Sequence, residues 1–531
     1  MVDSTTVTVE NMASMMATLT KTIEELNTTI AALQASVQDL KNDNALLLEE
    51  NRYLKRKLFG TKSETSHSLG LNQLSLFDEA EQTCDKKLLE EITYSRSKNR
   101  HKGERHLKLE NLPHIDEVYT VDEKDRICHR CGSQMHKVGK ELVRSEVVYE
   151  PAKLYVKDIY RETYECRYCR NNNVAHMLKA GTPSPVIPHS FASSSAVTQV
   201  IVDKYVNHMP LYRQETEWKR LGLELSRATM ANWIIISAKE YFIPLVKRMH
   251  ELLLQEKHIH CDETTVQVLN EPGKTNTSQS YMWVYSSIKE SDHPVKIFEY
   301  RPDRSAAHPQ NFLKEFSGTI ITDGYQGYNH IEGVTNAYCW AHVRRKFRDA
   351  LPDDMKDTSA TLSKEAINKI AKLFAIEREI ESSSPDDKAK IRQEKSKPLL
   401  DDFFLWCSHN QGNVLMRSKL GKAIQYALKY ETGLREYIND GLIPMTNSLD
   451  ERTIRPFTVG RKNWLFSAST KGAEASAAVF SIVETAKANH LNPYDYIEYL
   501  LEILPDIDFV NHPEKLDDFL PWSEQSQSEF E

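Results

Sequence analysis

From Met12 to Leu58 a single seam recurs with alternating spacings of three and four: Met12, Met16, Leu19, Ile23, Leu26, Ile30, Leu33, Val37, Leu40, Asn44, Leu47, Asn51, Leu54 and Leu58. No Pro or Gly interrupts it. Ile23, Ile30 and Val37 take the a positions with Leu at d, and Asn44 and Asn51 stand at a near the end, a choice that favours two parallel helices in fixed register. The pattern therefore predicts a coiled-coil dimerisation helix over 8–58. Residues 59–105, rich in Ser, Lys, Asn and Glu with LSLF as the one apolar island, read as a polar linker. Over 106–178 the runs ELVRSEVVYE and LYVKDIYRETYEC are strand-like, whereas 183–250 is helical in period. There PLYRQETEWKRLGLELSRATMANWIIIS has the shape of helix, Gly-containing turn and second helix, with Ser226 as the second cap.

At Lys257 the period changes again. KHIHCDETTVQVL, SYMWVYSS and VKIFEY read as three strands, HPQNFLKEF as a helix and GTIITDGY as a fourth strand. That order fits a three-stranded meander followed by a helix and a strand parallel to the first. NAYCWAHVRRKFRDAL adds a short strand and a basic helix, completing a first part of a core over 255–351. Residues 352–441 form a helical stretch too long for a loop, read as an insertion. A last helical segment of the core follows over 442–470, with Pro456 expected to stop its helix, and 471–531 read as a helical C-terminal region with an acidic tail. The fold class expected is multidomain α+β.

Length and composition agree with several domains: 531 residues, 40% apolar. The net charge of -8 argues against a protein that simply coats DNA. From Pro505 onward, however, eight acids face one lysine, so the remainder is near neutral and has room for basic faces. The polar N-terminus and short apolar runs suggest neither signal peptide nor transmembrane span, and the expected address is the cytoplasm. Four of the eight cysteines form two C-x-x-C pairs, Cys128 with Cys131 and Cys166 with Cys169, with 34 residues between the pairs. A tight turn lets both thiolates of a pair face one ion, so the set suits a closed, structural tetrahedral Zn²⁺ site. His129 and His136 read as bystanders, and Cys84, Cys261, Cys339 and Cys407 as ordinary small residues.

Three acids carry candidate chemistry: Asp262 in HIHCDETTV, Asp323 in GTIITDGYQGY and Glu451 in NSLDERTIRP. The first two end strand-like runs on strands expected side by side, and the third lies on a helix four residues after Asn447. Metal-dependent phosphoryl transfer needs such a set, because divalent cations must be held by oxygen ligands from separate elements. Glu263 and Asp450 are rival ligands, although strand alternation turns Glu263 away from the face of Asp262. Arg344, Arg345 and Lys346, with Arg461 and Lys462, are candidate phosphate contacts. In the helical hairpin, Arg213, Arg227, Thr229 and Asn232 are candidates to meet a DNA groove. Trp340 and Trp464 are better suited to a core than to stacking on a base.

The motifs C-x-x-C-G with a later C-x-x-C, LYRQE, LSRATMANW, HCDET, TDGYQGY, CWAHVRRKF, ERTIRPFTVGRKNWLFS and ETAKANHLNPYDYI, in order from about Lys55 to Leu501, together resemble the DDE transposases of insertion-sequence family sixty-six. The resemblance implies a ribonuclease-H-like α/β catalytic core interrupted by a helical insertion, with Asp262, Asp323 and Glu451 as the triad. It also implies Mg²⁺ or Mn²⁺ as cofactor, cleavage at element ends and transfer of 3′ ends to target DNA, and small accessory proteins as partners. The family's usual Asn-Asn is here Asn447-Ser448, and a preceding acid is Thr446. A DNA-binding repressor without catalysis and a non-transposing nuclease of the same fold are the competing readings. The dimeric helix favours a transposase, since pairing two DNA ends needs more than one subunit.

Overall fold

The computed structural model describes residues 181–351 and 361–530, together with short pieces at 154–160, 163–165 and 177–179 and a few helical positions between Met16 and Ile30. Most of the heptad seam, the linker and Cys128, Cys131, Cys166 and Cys169 lie outside the described residues. Residues 66–159 form a compact unit of their own, of which 154–159 are described, exposed and without regular structure. The other unit takes in residues 1–65 and 160–531. It is a mixed α+β structure.

Two short strands, β1 (Thr163–Glu165) and β2 (Met177–Lys179), pair antiparallel. Helices α1 (Ser194–Tyr205), α2 (Leu211–Arg220) and α3 (Arg227–Ser237) follow, and a π-turn at Ala238–Phe242 leads into α4 (Ile243–Leu253). Ser226 caps α3, its hydroxyl accepting from Thr229 N at 3.1 Å. Trp233 and Ile234 on α3 are buried.

The meander is β3 (His258–Asn270), β4 (Gln279–Ser287) and β5 (Lys296–Arg301), antiparallel in sequence. A short helix α5 (Ala307–Phe312) leads to β6 (Gly318–Thr322), which lies beside β3 and parallel to it. Beyond it, β7 (Val334–Tyr338) extends the sheet in the same sense, giving the order β5-β4-β3-β6-β7. Helix α6 (Trp340–Asp349) leaves β7.

The insertion comprises α7 (Leu362–Glu379), α8 (Pro385–Ile391), α9 (Lys397–Gln411), α10 (Lys419–Lys429) and α11 (Glu431–Arg435). Together with α6 it forms an apolar cluster gathered around Trp340, Phe347, Phe403 and Ile424. Trp340 is fully buried and donates its indole N–H to the Leu434 carbonyl at 2.8 Å. Its truncation to Ala should cost about 3–5 kcal/mol.

Helix α12 (Ser448–Trp464) then packs across β3 and β4. Pro456 does not stop it but lies inside it. The ring fits helical φ and the lost hydrogen bond costs about 3 kcal/mol; burial of Ile454 and Phe457 on either side holds the helix to its full length. The short strand β8 (Ser467–Ser469) pairs with the far end of β3. Helix α13 (Thr470–Ala488) covers β5, where Ser481 and Thr485 hydroxyls accept from Phe298 N and Lys296 N. After α14 (Pro493–Ile503) the acidic segment is not a solvated tail. Leu516, Phe519 and Leu520 are buried, Asp517 pairs with both Nε and Nη2 of Arg248, and α15 (Glu524–Phe530) closes the chain. The apolar positions between the acids decide this, because carboxylates at a surface leave the hydrophobic contribution of their neighbours intact. No described helix is long and apolar enough to cross a membrane.

Candidate functional site

The parallel pairing of β3 with β6 matches Ile259 to Ile320 and His260 to Ile321. Carried two residues further, the same offset sets Asp262 level with Asp323, just past the end of β6. The turn after Asp323 depends on Gly324, whose φ of +88° suits glycine and whose missing Cβ would stand 2.9 Å from the Tyr426 hydroxyl. Asp323 Oδ1 accepts from Tyr325 N at 2.8 Å, an Asx-type closure. From α10, the Tyr426 hydroxyl donates to the Asp323 carbonyl and Tyr430 to the Gly324 carbonyl.

Helix α12 brings Glu451. Its N-terminal residue Asn447 is fully buried; its side-chain amide donates to the Cys261 carbonyl at 3.1 Å, its carbonyl oxygen meets His260 Nδ1 at 2.5 Å, and its backbone N–H reaches Cys339 Sγ at 3.1 Å. One amide thus joins β3 just before Asp262 to the start of α12 and to the loop entering α6. Glu451, one turn on, has a side chain 8% exposed, 3.7 Å from His342 Nε2 and 3.9 Å from Arg345. Burial pushes His342 down to about 4, helped by Arg345, so at neutral pH it meets Glu451 as an uncharged ring.

Burial also pushes the Glu451 carboxyl up to about 7, with Arg345 opposing and Asp323 and Asp450 adding. Asp262 is raised well above the usual carboxylate range by burial first, then by Glu263, Asp323, Asp450 and Glu451. Its Oδ1 accepts from Glu263 N at 2.8 Å. The three acids therefore sense one another electrostatically. Among the described residues, though, no three His, Cys, Asp or Glu side chains converge closely enough to hold a metal ion as they stand.

The two rival acids are taken up by other partners, although Glu263 stays near enough to Asp323 to feel its charge. Asp450 is fully buried and accepts from the Ser286 hydroxyl of β4 at 2.6 Å. Glu263 is engaged by Arg304 and Tyr328.

Beside Asp323 opens a cleft of about 400 Å³, lined by Arg304, Asp323, Gly324, Tyr325, Gln326, His342, Lys346, Tyr426 and Tyr430. Lys346 stands 4.4 Å over the Tyr426 ring. Of the other basic candidates, Arg344 and Arg345 are half-buried on α6 and Lys462 is exposed. Arg461 Nη1 instead bonds β3, reaching the hydroxyls of Thr264 and Thr265 at 3.2 Å each and the Thr265 carbonyl. Arg213, Arg227 and Asn232 are exposed on α2 and α3, with Thr229 half-buried, and none of the four lines this cleft. Trp340 is core, and Trp464 packs edge-on to Tyr205.

Arg304, Tyr325, His342, Tyr426 and Tyr430 escaped the reading of the sequence. The i, i+4 spacing of Tyr426 and Tyr430 marks one helix face, but nothing local says which surface that face meets.

Comparison with known proteins gives these residues a family. The transposase IS66 family model matches residues 189–475 and the IS66 C-terminal element 481–522. The zinc-finger binding domain of transposase IS66 matches 125–170, which includes all four paired cysteines, and the model described as transposase C of IS166 homeodomain matches 46–116. Two uncharacterized proteins of Sinorhizobium fredii, y4jD and y4hP, are each 28% identical, over 90% of this chain and 94% of theirs in the first case and 77% and 75% in the second. The Drosophila P element transposase strand transfer complex overlaps 61% of this chain and 86% of its own at 13% identity and a TM-score of 0.22, a likeness too slight to bear on the site. With the principal model spanning more than half of the sequence and the zinc-finger and C-terminal elements flanking it, this chain belongs to the IS66 family of transposases.

Proposed function

We propose that this transposase cuts DNA at the ends of an insertion sequence and transfers the freed 3′ ends to target DNA, with Asp262, Asp323 and Glu451 as its catalytic carboxylates. The observation that carries the reading is the parallel register of β3 and β6, which, carried past its last pair, sets Asp262 level with Asp323, together with Glu451 on the helix packed over β3. The meander with two further parallel strands, and the helical insertion before α12, support a ribonuclease-H-like core.

The donor set suits a divalent cation. It offers hard carboxylate oxygens, a buried Glu451 Oε1 without a hydrogen-bond partner, and an Asp262 crowded by like charge. Asp262, Asp323 and Glu451 would hold Mg²⁺ or Mn²⁺, which when bound stabilises charge on the attacking and leaving oxygens of a phosphodiester. The protein's own part is positional. Asn447 ties the strand of Asp262 to the helix of Glu451, Tyr426 and Tyr430 hold the backbone at Asp323 and Gly324, and Lys346 supplies positive charge at the cleft for a phosphate. Cys128, Cys131, Cys166 and Cys169 would hold a structural Zn²⁺. The exposed side of α3 would meet end DNA through Arg227 and Asn232, the heptad helix would pair two subunits, and accessory proteins of the element would join them. Work on the chromosome would place the protein in the bacterial cytoplasm, at the nucleoid.

The test is Mg²⁺- or Mn²⁺-dependent cleavage and strand transfer on DNA that flanks the gene, wild type against Asp323→Ala. Joined products from wild type alone are expected; equal activity in the variant overturns the site, and cutting without joining points to a nuclease.

A further inference from the structure

Beside the three carboxylates stands an assembly that the proposed chemistry leaves unused. Glu263, whose side chain is 2% exposed, accepts from the Tyr328 hydroxyl at 2.8 Å on one oxygen and from Arg304 Nε at 2.8 Å on the other, with Arg304 Nη2 bonded to the same atom. The Arg304 guanidinium lies 3.9 Å from the centroid of the Tyr325 ring, and the Tyr325 hydroxyl donates back to the Arg304 carbonyl. Asp303 holds the loop from the other side, accepting from Ser305 N at 2.9 Å and meeting His308 Nε2 at 2.7 Å. Arg304 is thereby fixed at its head, its ring plate and its backbone.

Stability alone is a poor reason for this arrangement. A buried carboxylate in a site with three other acids raises the repulsion among them, and replacing a buried ion pair by apolar residues is often neutral or stabilising. What the pair does provide is orientation. An arginine side chain carries considerable rotamer freedom, and here that freedom is surrendered on folding rather than on meeting a ligand. The Arg304 side chain nevertheless remains 39% exposed, and the residue lines the cleft with Asp323 and Lys346. Lys346 is stationed in the same way on the ring of Tyr426. Two cations parked on tyrosine rings at one cleft suit a strand bearing one negative charge per nucleotide.

We infer that Arg304, held by Glu263 and Tyr325, contacts a backbone phosphate of the DNA strand that enters the cleft, with Lys346 as its partner cation. The inference rests on DNA being the substrate of this site. It also assigns Glu263 the role of positioning Arg304 and not of holding a metal.

The experiment measures binding of the full-length protein to a short duplex from the DNA flanking the gene, across a range of KCl concentrations and without divalent metal. Arg304→Gln should bind roughly tenfold more weakly and lower the slope of log K against log[salt] by about 1, as loss of one phosphate contact does. Arg304→Lys should keep the slope and lose part of the affinity, and Tyr325→Leu, which removes no charge, should do the same. A slope unchanged in Arg304→Gln overturns the inference, whatever happens to affinity. Because cleavage is not read, a wild type that binds with the expected slope but never cuts counts against the proposed function alone.

Discussion

The same dipeptide, Asp-Glu, meets the site twice, as Asp262-Glu263 on β3 and as Asp450-Glu451 on α12, and in the proposed function the two copies are used in opposite order. On the strand, successive side chains point to opposite faces. Asp262 is the acid assigned to the proposed triad, while Glu263 bonds Arg304 and Tyr328. On the helix, successive side chains diverge by about 100°. The first acid, Asp450, is swallowed against Ser286 and raised to about 7 by burial, and the second, Glu451, reaches His342 and Arg345. Position within a motif therefore does not tell which acid serves the site. What each backbone turns toward does.

The comparison breaks most sharply at the inner pair. If they hold the metal as proposed, Asp262→Asn and Glu451→Gln should each reduce strand cleavage on the order of a thousandfold or more, since losing such a ligand removes several kcal/mol of transition-state stabilisation; circular dichroism and end binding should match wild type. Comparable cleavage in either variant would reverse the assignment within that dipeptide. Ser286→Ala should leave Asp450 buried without its donor and cost about 1–3 kcal/mol of stability, read by urea denaturation, with a much smaller effect on cleavage per folded molecule. Glu263→Gln should be milder on the fold and show itself in DNA affinity, about tenfold weaker, because the amide still bonds Tyr328 but no longer anchors the guanidinium. The smallest effect belongs to Tyr328→Phe, which removes one hydrogen bond to Glu263 and should cost about 1–2 kcal/mol with the salt dependence of binding unchanged. A larger loss of cleavage from Glu263→Gln than from Asp262→Asn would invert the comparison on β3.

Much of the layout was legible from periodicity. The meander, the parallel fourth strand and the helical nature of the insertion follow from alternation in KHIHCDETTVQVL and its successors and from the helical period after Pro352. Alternation also separated Asp262 from Glu263. Two expectations failed for one shared reason. Local grounds predict a helix stop at Pro456 and a tail after Pro505, yet each segment keeps its buried apolar residues, Ile454 and Phe457 in one and Leu516 and Phe519 in the other. Tertiary burial outweighed the local signal. The aromatic wall was invisible for a different reason: Tyr426 lies 103 residues from Asp323 in the chain.

By itself the sequence determined the strand and helix periods, the four zinc-finger cysteines, the family and the three acids that stand out within its motifs, because each is written in neighbouring residues or in their order. The tertiary structure alone decided that Asp450 is buried against Ser286, that Arg461 is tied to β3, that Asn447 joins β3 to α12, and that the insertion's tyrosines hold the turn at Asp323. These depend on the direction of single side chains across contacts far apart in sequence, and direction is set by packing, which no local pattern encodes.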